Sequence, residues 1–298
     1  MTGGADNPDL HVMLVGPHVF LARWANALGA PARSTESTMA VPAKQGYVFD
    51  LDGTIYLGER LIPGARETID VLRGAGKKVA FLSNKPIQTR QTYAEKLCRL
   101  GIDADVSDVV SSSWVLAQEL SRQAPGARVY PVGEPPLIRE LEAAGLVIAD
   151  RPEVADYVIA AFDRTLTYAK LCFAFQAIRR GAHLIATNAD RACPTEDGEI
   201  PDAAAVIGAL EATTGKRCEW VAGKPSPTML QAVLDRMALQ ADQCVMVGDR
   251  LETDIKMGTA AGMTTVLVLT GVTTRETARA SDIRPDYTLD SIAQLLHS

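Results

Sequence analysis

The sequence contains few cysteines, and they form no pattern typical of a disulfide framework or a metal site. Five cysteines are scattered along 298 residues without a Cys-x-x-Cys pair, and the four histidines have no metal-ligand spacing. An odd, dispersed set of cysteines is typical of reduced thiols in a cytoplasmic protein. We therefore expect neither a disulfide scaffold nor a metal site built from cysteine and histidine.

Basic blocks and long apolar runs are also missing. The 30 Lys and Arg residues are outnumbered by 36 Asp and Glu, which gives a net charge of −6 without a basic stretch that would suit nucleic acid. No uninterrupted apolar run is long enough to span a bilayer. Asp6 and Asp9 lie where a signal peptide would carry basic residues. We expect a cytoplasmic protein with no nucleic-acid or membrane partner.

A repeated alternation of strands and helices is present instead. Hydrophobic residues make up 47% of the chain, which is enough for a sizeable core. From Gly46 onward, short apolar runs alternate with helical segments. Such an alternation predicts an α/β fold, with a parallel sheet covered by helices on both faces.

The length of the chain and its helix-breaking residues predict two folded units. Residues 123–126, Gln-Ala-Pro-Gly, form a breaker cluster and a candidate boundary. We predict one domain from residues 45–124 and 219–298, and a second α/β unit over residues 125–218. Residues 1–44 are predicted to be a poorly ordered extension, and Met39 is a candidate natural start.

The first predicted strand ends on two acidic residues. Tyr47, Val48 and Phe49 are followed by Asp50 and Asp52, with one residue between the two acids. In an extended segment both carboxylates point to the same side, at the carboxyl end of the strand, where open α/β sheets bind ligands. Two charges about 4 Å apart repel by about 4 kcal/mol at an effective dielectric of about 20. The pair suggests a cation, a shared proton or chemistry, and Asp-Gly alone is equally typical of a turn.

Two further strand ends carry groups that suit a phosphate. Ser83 and Asn84 end the second core strand with a hydroxyl and an amide, and Lys224 follows an apolar strand later in the chain. Hydroxyls, amides and lysines bind phosphate oxygens in proteins. Each residue also has an ordinary interpretation, because Ser83 is a good helix cap and a lone lysine is usually a solvated surface charge.

A fourth strand end supplies more carboxylates. The apolar run at residues 244–247 leads directly into Gly248 and Asp249, and Asp254 follows shortly after. If a helix begins at Thr253, Asp254 lies in its first turn and can share an oxygen-rich site with Asp249, of the kind that Mg²⁺ prefers. A first-turn acid that favours the helix dipole is the alternative interpretation of Asp254.

Taken together, these motifs resemble the haloacid dehalogenase superfamily of phosphohydrolases. Residues 50–54, Asp-Leu-Asp-Gly-Thr, look like the first motif of that family, Ser83 like the second and Lys224 like the third. The sequence Gly-Asp-x-x-x-Thr-Asp-Ile at residues 248–255 is similar to the fourth motif in the subgroup with a class-II, type-A cap. That subgroup includes p-nitrophenyl, phosphoglycolate and pyridoxal phosphatases and the N-acetylglucosamine-operon phosphatases. The resemblance covers about residues 39–298.

The resemblance implies a fold and a reaction. It implies a Rossmann-like core with a parallel sheet, a class-II, type-A α/β cap domain inserted between the second and third motifs, and a pairing of caps into a homodimer. The implied reaction is Mg²⁺-dependent hydrolysis of a small phosphorylated metabolite through an aspartyl-phosphate. The candidate leaving groups are a sugar, glycolate, pyridoxal and a nucleoside.

The resemblance also implies a role for each core residue. Asp50 would be the nucleophile and Asp52 the general acid and base. Phosphate oxygens would be held by Ser83, Asn84 and Lys224. The Mg²⁺ ligands would be Asp50, the backbone carbonyl of Asp52 and Asp249, with Asp254 binding directly or through water.

Cap residues are candidates for substrate contacts. Residues 187–194, which begin Thr-Asn-Ala-Asp and end in Pro, look like the cap motif of the subgroup, and this makes Asn188, Asp190 and Arg191 candidates. Arg164 is a further candidate, although a solvated turn residue is the simpler interpretation of it. Two departures from the family pattern lie nearby: Pro-Asp-Ala-Ala replaces Pro-Gly-x-Gly at residues 201–204, and a second asparagine is missing after Asn84.

Two other functions use the same motifs. A phosphotransferase or phosphomutase would pass the aspartyl-phosphate to an alcohol instead of water. A binding protein that kept the fold without catalysis is the third interpretation, and the complete set of acidic residues argues against it.

Overall fold

The predicted alternation of strands and helices is present in a computed structural model, which describes residues 40–195 and 198–296 of the chain. Most of the strands belong to two parallel sheets, which confirms the α/β prediction. Most of the predicted extension, residues 1–39, lies outside the described residues. No helix in the described part of the chain is both long enough and apolar enough to cross a membrane.

A six-stranded parallel sheet carries the first acidic motif in its middle. Its order is β15-β14-β13-β1-β4-β5. The strands are β1 (Gly46–Asp50), β4 (Lys78–Ser83), β5 (Val109–Ser111), β13 (Cys244–Gly248), β14 (Thr264–Val268) and β15 (Tyr287–Leu289). All five residues of β1 are buried, as expected for a central strand of a parallel sheet that is covered on both faces.

A second parallel sheet contains five strands, in the order β12-β9-β8-β6-β7. They are β6 (Arg128–Val132), β7 (Val147–Ile148), β8 (Tyr157–Ala160), β9 (His183–Ala186) and β12 (Trp220–Val221). Two antiparallel hairpins complete the strands: β2 (Tyr56–Leu57) with β3 (Arg60–Leu61), and β10 (Ala192–Thr195) with β11 (Gly198–Pro201).

The position of β12 differs from the sequence prediction. The strand predicted near residues 219–222 was assigned to the first domain, but Trp220 and Val221 pair in parallel with Ile185 and Ala186 of β9. A two-residue strand has no periodicity that distinguishes one sheet from the other. The hydrogen bonds to β9 keep the chain in the second sheet until just before Lys224.

The helices surround both sheets, and several begin at a side-chain cap. Thr89, Ser111, Thr167, Ser226 and Thr274 each accept a hydrogen bond from a backbone N–H in the first turn of a helix. The α-helices are α1 (Ala65–Gly74), α2 (Arg90–Arg99), α3 (Ser112–Gln123), α4 (Pro135–Ala143), α5 (Tyr168–Arg179), α6 (Ala203–Thr214), α7 (Pro227–Met237), α8 (Lys256–Ala261) and α9 (Arg275–Ala280).

A continuous apolar cluster joins the two sheets. It contains Leu82 of the first sheet, Leu116 of α3, Leu141 of α4 and Ile159 of the second sheet, all fully buried. The burial of large aliphatic side chains contributes about 1.5–3 kcal/mol each. The two sheets are therefore held together by a shared core as well as by the chain that connects them.

Candidate active site

The carboxyl edge of the six-stranded sheet brings the predicted residues of the first and fourth motifs together. Asp50 ends β1, Ser83 ends β4, and Asp249 directly follows β13. β1 pairs with β13 on one side and with β4 on the other, all in parallel. The polar groups at the ends of these strands therefore meet at one edge of the sheet.

Lys224 lies between two buried carboxylates. Its Nζ donates hydrogen bonds to Oδ1 of Asp50 and, at 2.7 Å, to Oδ1 of Asp254. The side chain is only 3% exposed. Burial opposes the positive charge, but Asp254 and Asp50 outweigh burial and raise the pKa of Lys224. This lysine is a buried ammonium and not a solvated surface charge.

Three carboxylates form a pocket that suits a cation. One oxygen from each of Asp50, Asp249 and Asp254 lies within 4.8 Å of the others. Burial and the neighbouring acids raise the pKa of Asp50 and that of Asp249. Oδ1 of Asp249 is buried without a hydrogen-bond partner. An all-oxygen set with one unsatisfied acceptor fits a hard divalent ion such as Mg²⁺.

Two glycines allow the loops around Asp249 to approach closely. The N–H of Val272 donates a 2.6 Å hydrogen bond to Oδ2 of Asp249. A Cβ on Gly271 would lie 2.0 Å from that oxygen, and a Cβ on Gly53 would lie 2.6 Å from it. Gly53 also has a φ of +89°, which side chains disfavour. Both loops therefore need glycine at these positions.

The helix predicted to begin at Thr253 starts differently. Residues Leu251–Ile255 form a five-residue π turn, and α8 begins only after it. Such turns are rare and often occur at functional sites. The turn buries Asp254, whose Oδ2 accepts a 3.1 Å hydrogen bond from the N–H of Arg250. Asp254 is thus a buried partner of Lys224, as well as an acid near a helix start.

The carboxylate of Asp52 is not one of the three in this pocket, and it contacts a different lysine. Its Oδ2 is 3.0 Å from Nζ of Lys85. Burial opposes the charge on Lys85, but Asp52 and Cys193 outweigh it and raise the pKa of Lys85. In the sequence, this position stood out only as a departure from the family pattern. A lysine that directly follows a strand-end Ser-Asn pair is the signal that could have identified it.

The side chain of Asn84 forms hydrogen bonds with the backbone of Lys224, in the loop after β12. Its Oδ1 accepts a 2.7 Å hydrogen bond from the N–H of Lys224, and its Nδ2 donates to the carbonyl oxygen of Lys224 at 3.1 Å. Nδ2 also donates to Oδ2 of Asp190 at 2.9 Å. The predicted phosphate-binding amide is therefore engaged with protein groups on both sides. Gly223 permits this contact, because a Cβ there would lie 2.6 Å from Oδ1 of Asn84.

Ser83 is buried at the end of β4 and does not cap a helix. Its hydroxyl donates to Oη of Tyr93 at 3.0 Å and accepts from the N–H of Lys85 at 3.2 Å. The following helix, α2, is capped by Thr89 instead. These contacts exclude the helix-cap interpretation of Ser83.

Asp190 and Asn188 connect the second sheet to the site. Asp190 accepts hydrogen bonds from the side chains of Asn84, Asn188 and Arg250, the last at 3.4 Å. Asn188 also donates to Oδ1 of Asp202 at 2.9 Å. Arg250, which directly follows Asp249 in the sequence, was missed as a site residue. Asp202 belongs to the stretch that departs from the family pattern, and here it caps α6.

The other two cap candidates are outside this network. Arg164 is half exposed, and its guanidinium makes two 2.8 Å hydrogen bonds with the carboxylate of Glu134. Arg191 is exposed on the chain between Asp190 and β10. The Glu134 pair makes Arg164 a fixed part of the second unit and not a freely solvated turn residue.

Two family models match the sequence over the regions that carry these motifs. A model described as haloacid dehalogenase-like hydrolase matches residues 47–147. A second, described as HAD-hydrolase-like, matches residues 221–295. The two matches contain all four predicted core motifs.

Curated relatives are similar over most of the chain. The sugar-phosphatase AraL of Bacillus subtilis (strain 168) is 44% identical over 259 residues, which is 87% of this chain and 94% of that protein. The acid sugar phosphatase of Staphylococcus aureus (strain USA300) is 36% identical over 252 residues, which is 85% of this chain and 96% of that protein.

Solved structures share the fold. A p-nitrophenyl phosphatase from Archaeoglobus fulgidus is 36% identical and superposes with a TM-score of 0.82, covering 86% of this chain and 99% of that one. A glycerol phosphate phosphatase from Mycobacterium tuberculosis, solved in complex with magnesium, is 35% identical with a TM-score of 0.78. It covers 85% of this chain and 76% of that one.

Proposed function

The chain belongs to the haloacid dehalogenase-like hydrolases and is a phosphoric monoester hydrolase, and we propose that it releases phosphate from small sugar phosphates with the help of Mg²⁺. The family has the α/β fold that the sequence resemblance implied. The sugar as leaving group is supported by two curated relatives that are named sugar phosphatases.

The proposal depends mainly on the position of Lys224. A buried ammonium, Lys224, contacts Asp50 and Asp254 beside a pocket in which three carboxylate oxygens lie within 4.8 Å. A phosphoryl group that approaches Asp50 would meet this positive charge at once. Even a paired buried charge adds little stability compared with apolar side chains of similar volume, so the arrangement is better explained by chemistry than by stability.

The proposed chemistry takes place in two steps. In the first, an oxygen of Asp50 attacks phosphorus in line, the bond from phosphorus to the ester oxygen breaks, and Asp52 gives that oxygen a proton. In the second, Asp52 takes a proton from water while the water oxygen attacks phosphorus. The carboxylate of Asp50 is then released together with inorganic phosphate.

Charge explains why a cation is proposed. The four carboxylates of Asp50, Asp52, Asp249 and Asp254 and a phosphate dianion bring six negative charges, of which Lys224 offsets one. Bound by Asp50, Asp249 and the carbonyl of Asp52, with Asp254 in support, Mg²⁺ would supply two positive charges that reduce the repulsion between nucleophile and phosphate. Asp52 in its protonated form removes one more negative charge.

Two polar residues at the end of β4 have different proposed roles. The hydroxyl of Ser83 contributes to phosphate binding by turning away from Tyr93 when the phosphoryl group arrives. The side chain of Asn84 contributes through the backbone of Lys224, which it holds at both the N–H and the carbonyl. Asn84 thus places the ammonium for phosphate and leaves its own backbone N–H to contact a phosphoryl oxygen.

The test is an assay of inorganic phosphate release from a panel of sugar phosphates with Mg²⁺, in the wild type and in Asp50→Asn. We expect turnover that is lost in excess chelator and in the variant. Turnover by Asp50→Asn at the wild-type rate would contradict the proposal. A second phosphorylated sugar among the products, in place of inorganic phosphate, would indicate phosphotransfer.

A further inference from the structure

Lys85 lies directly beside the proposed general acid. Its Nζ is 3.0 Å from Oδ2 of Asp52, and the two side chains are 20% and 29% exposed. The pair is thus largely shielded but still reachable from solvent. An ion pair that is partly shielded from water is stronger than one on an open surface.

The backbone of Lys85 is fixed by buried neighbours. Its N–H donates to Oγ of Ser83 at 3.2 Å, and its carbonyl accepts a 2.9 Å hydrogen bond from Oη of Tyr93. Tyr93 is 2% exposed, and its Oη also accepts a hydrogen bond from the hydroxyl of Ser83. The loop that carries Lys85 is therefore tied to the end of β4 and to α2, so that the ammonium starts from a defined position.

The other cations around the site have carboxylate partners of their own. Lys224 contacts Asp50 and Asp254, and Arg250 pairs with Asp190. Within residues 40–195 and 198–296, the ion pair of Asp52 is with Lys85. Asp52 thus has Lys85 as its own cation, whereas Asp50 and Asp254 pair with Lys224.

We propose that Lys85 is a positioning residue for Asp52, a role that rests on the proposed function. By holding Oδ2, it leaves Oδ1 to carry the proton that passes to the ester oxygen as the bond from phosphorus to that oxygen breaks. Oδ1 recovers a proton from the attacking water in the second step. Throughout, Lys85 contacts Oδ2, which remains an acceptor in both protonation states of the carboxyl group.

The test compares leaving groups that differ in their need for a proton. A sugar or a simple alcohol leaves poorly as an alkoxide, whereas p-nitrophenolate is a stable anion. In Lys85→Met we expect kcat for a sugar phosphate and for propyl phosphate to fall about 10- to 100-fold, which is less than the full contribution of a general acid of about 100- to 10,000-fold, because Asp52 itself is still present. With p-nitrophenyl phosphate we expect kcat to fall less than about threefold, because its leaving group needs little help from an acid.

Two variants serve as controls. Lys85→Arg keeps a cation within reach of Oδ2 and should recover most of the lost kcat. Lys216→Met removes an exposed lysine after α6 and should behave as the wild type on all three substrates. Turnover of p-nitrophenyl phosphate by Lys85→Met shows that the variant is folded. If Lys85→Met does not fold, the same measurements are made with Lys85→Gln.

A double-mutant cycle with Asp52→Asn gives an independent measurement. If Lys85 acts only through Asp52, adding Lys85→Met to Asp52→Asn should leave the sugar-phosphate kcat unchanged, since there is no acid left to position. Additive losses would overturn the proposal. So would a raised KM for the sugar phosphate with no effect on propyl phosphate, because Lys85 would then bind sugar hydroxyls. If the proposed function itself is wrong, Asp50→Asn should turn over substrate as fast as the wild type, which is a different result from those above.

Discussion

Asn84 Oδ1 accepts a 2.7 Å hydrogen bond from the backbone N–H of Lys224, although 140 residues separate the two in the sequence. The contact connects the end of β4 with the loop after β12, and Asp190 contacts the same amide from the second unit. Lys224 is therefore positioned by Asn84, which directly follows β4 of the first sheet, and indirectly by Asp190, which lies after β9 of the second sheet. The position of the ammonium depends on both units.

Replacing Asn84 should disturb Lys224 without removing its charge. In Asn84→Ala the partly buried N–H and carbonyl of Lys224 lose their partners, which costs about 1–3 kcal/mol of unfolding free energy for an unsatisfied group. We expect kcat with p-nitrophenyl phosphate to fall about 10- to 100-fold, because the displacement of a binding group by about 1 Å is enough for such a loss. Urea denaturation and steady-state kinetics measure the two effects.

Asp190→Asn is the matched control for Asn84→Ala. It keeps the contacts of Asn84 with Lys224, and it removes the charge of Asp190 together with one of the two carboxylate oxygens that accept from Asn84, Asn188 and Arg250. We expect a smaller loss of kcat than in Asn84→Ala. Equal losses in the two variants would contradict the view that Asn84 acts mainly through the backbone of Lys224.

Removing the charge of Lys224 should affect stability and activity in different ways. Lys224→Met leaves Asp50 and Asp254 buried without their cation, and breaking a buried pair typically costs about 3–5 kcal/mol. We expect this loss in the metal-free protein, measured by chemical denaturation, and expect activity to fall to background. A metal-free variant as stable as the wild type would show that the buried carboxylates do not depend on Lys224.

Mg²⁺ should stabilise the protein more at neutral pH than in acid. Burial and neighbouring carboxylates raise the pKa of Asp50 and that of Asp249 above the unfolded value of about 3.9. The metal-free protein therefore loses stability as the pH rises from that value through the folded pKa values, since the unfolded chain releases these protons first. Mg²⁺ binds the deprotonated forms and offsets this loss.

A thermal-shift experiment measures this effect. We expect the increase in Tm on adding Mg²⁺ to be larger at about pH 7.5 than at about pH 5. Asp249→Asn should lose most of the increase at both pH values. The same increase at both pH values in the wild type would contradict metal binding by these carboxylates.

A methyl group at Gly271 should disrupt the acidic pocket. In Gly271→Ala the new Cβ would lie 2.0 Å from Oδ2 of Asp249, so the loop or the carboxylate must move. We expect Mg²⁺ activation to need at least about tenfold more metal, within the range seen when groups that support a metal ligand are changed. Gly74→Ala at the end of α1 is the matched control, because no atom lies within 4 Å of its new Cβ. A metal dependence in Gly271→Ala equal to that of the control would contradict the close approach.

The sequence predicted which site residues lie at strand ends better than it predicted the hydrogen-bond partners of those residues. Asp50 ends β1 and Asp249 follows β13, and these two strands pair in parallel, so the meeting of the two acids at one edge of the sheet was predictable. Lys224 follows β12 of the second sheet, so pairing within the first sheet does not account for its position. The contact of Asn84 with the Lys224 loop was not predictable, because it depends on the path of the chain through the second unit. A hydrogen-bonding amide has the same sequence signature whether it binds a ligand or the backbone.

Short elements were the least predictable parts of the fold. β12 has two residues and no periodicity, so its assignment to the first domain was wrong, and hydrogen bonds to β9 place it in the second sheet. The π turn at Leu251–Ile255 has no sequence signature that separates it from an α-helical start. Lys85 was visible only as a departure from a pattern, because its role depends on the position of Asp52.

The most direct test of Asp50 as the nucleophile is to identify the residue that carries the phosphoryl group during turnover. The protein is mixed with Mg²⁺ and a sugar phosphate, quenched in acid and digested, and the peptides are analysed by mass spectrometry. We expect one phosphoryl group on the peptide that contains Asp50, and none in Asp50→Asn. A phosphoryl group on any other residue during wild-type turnover would contradict it.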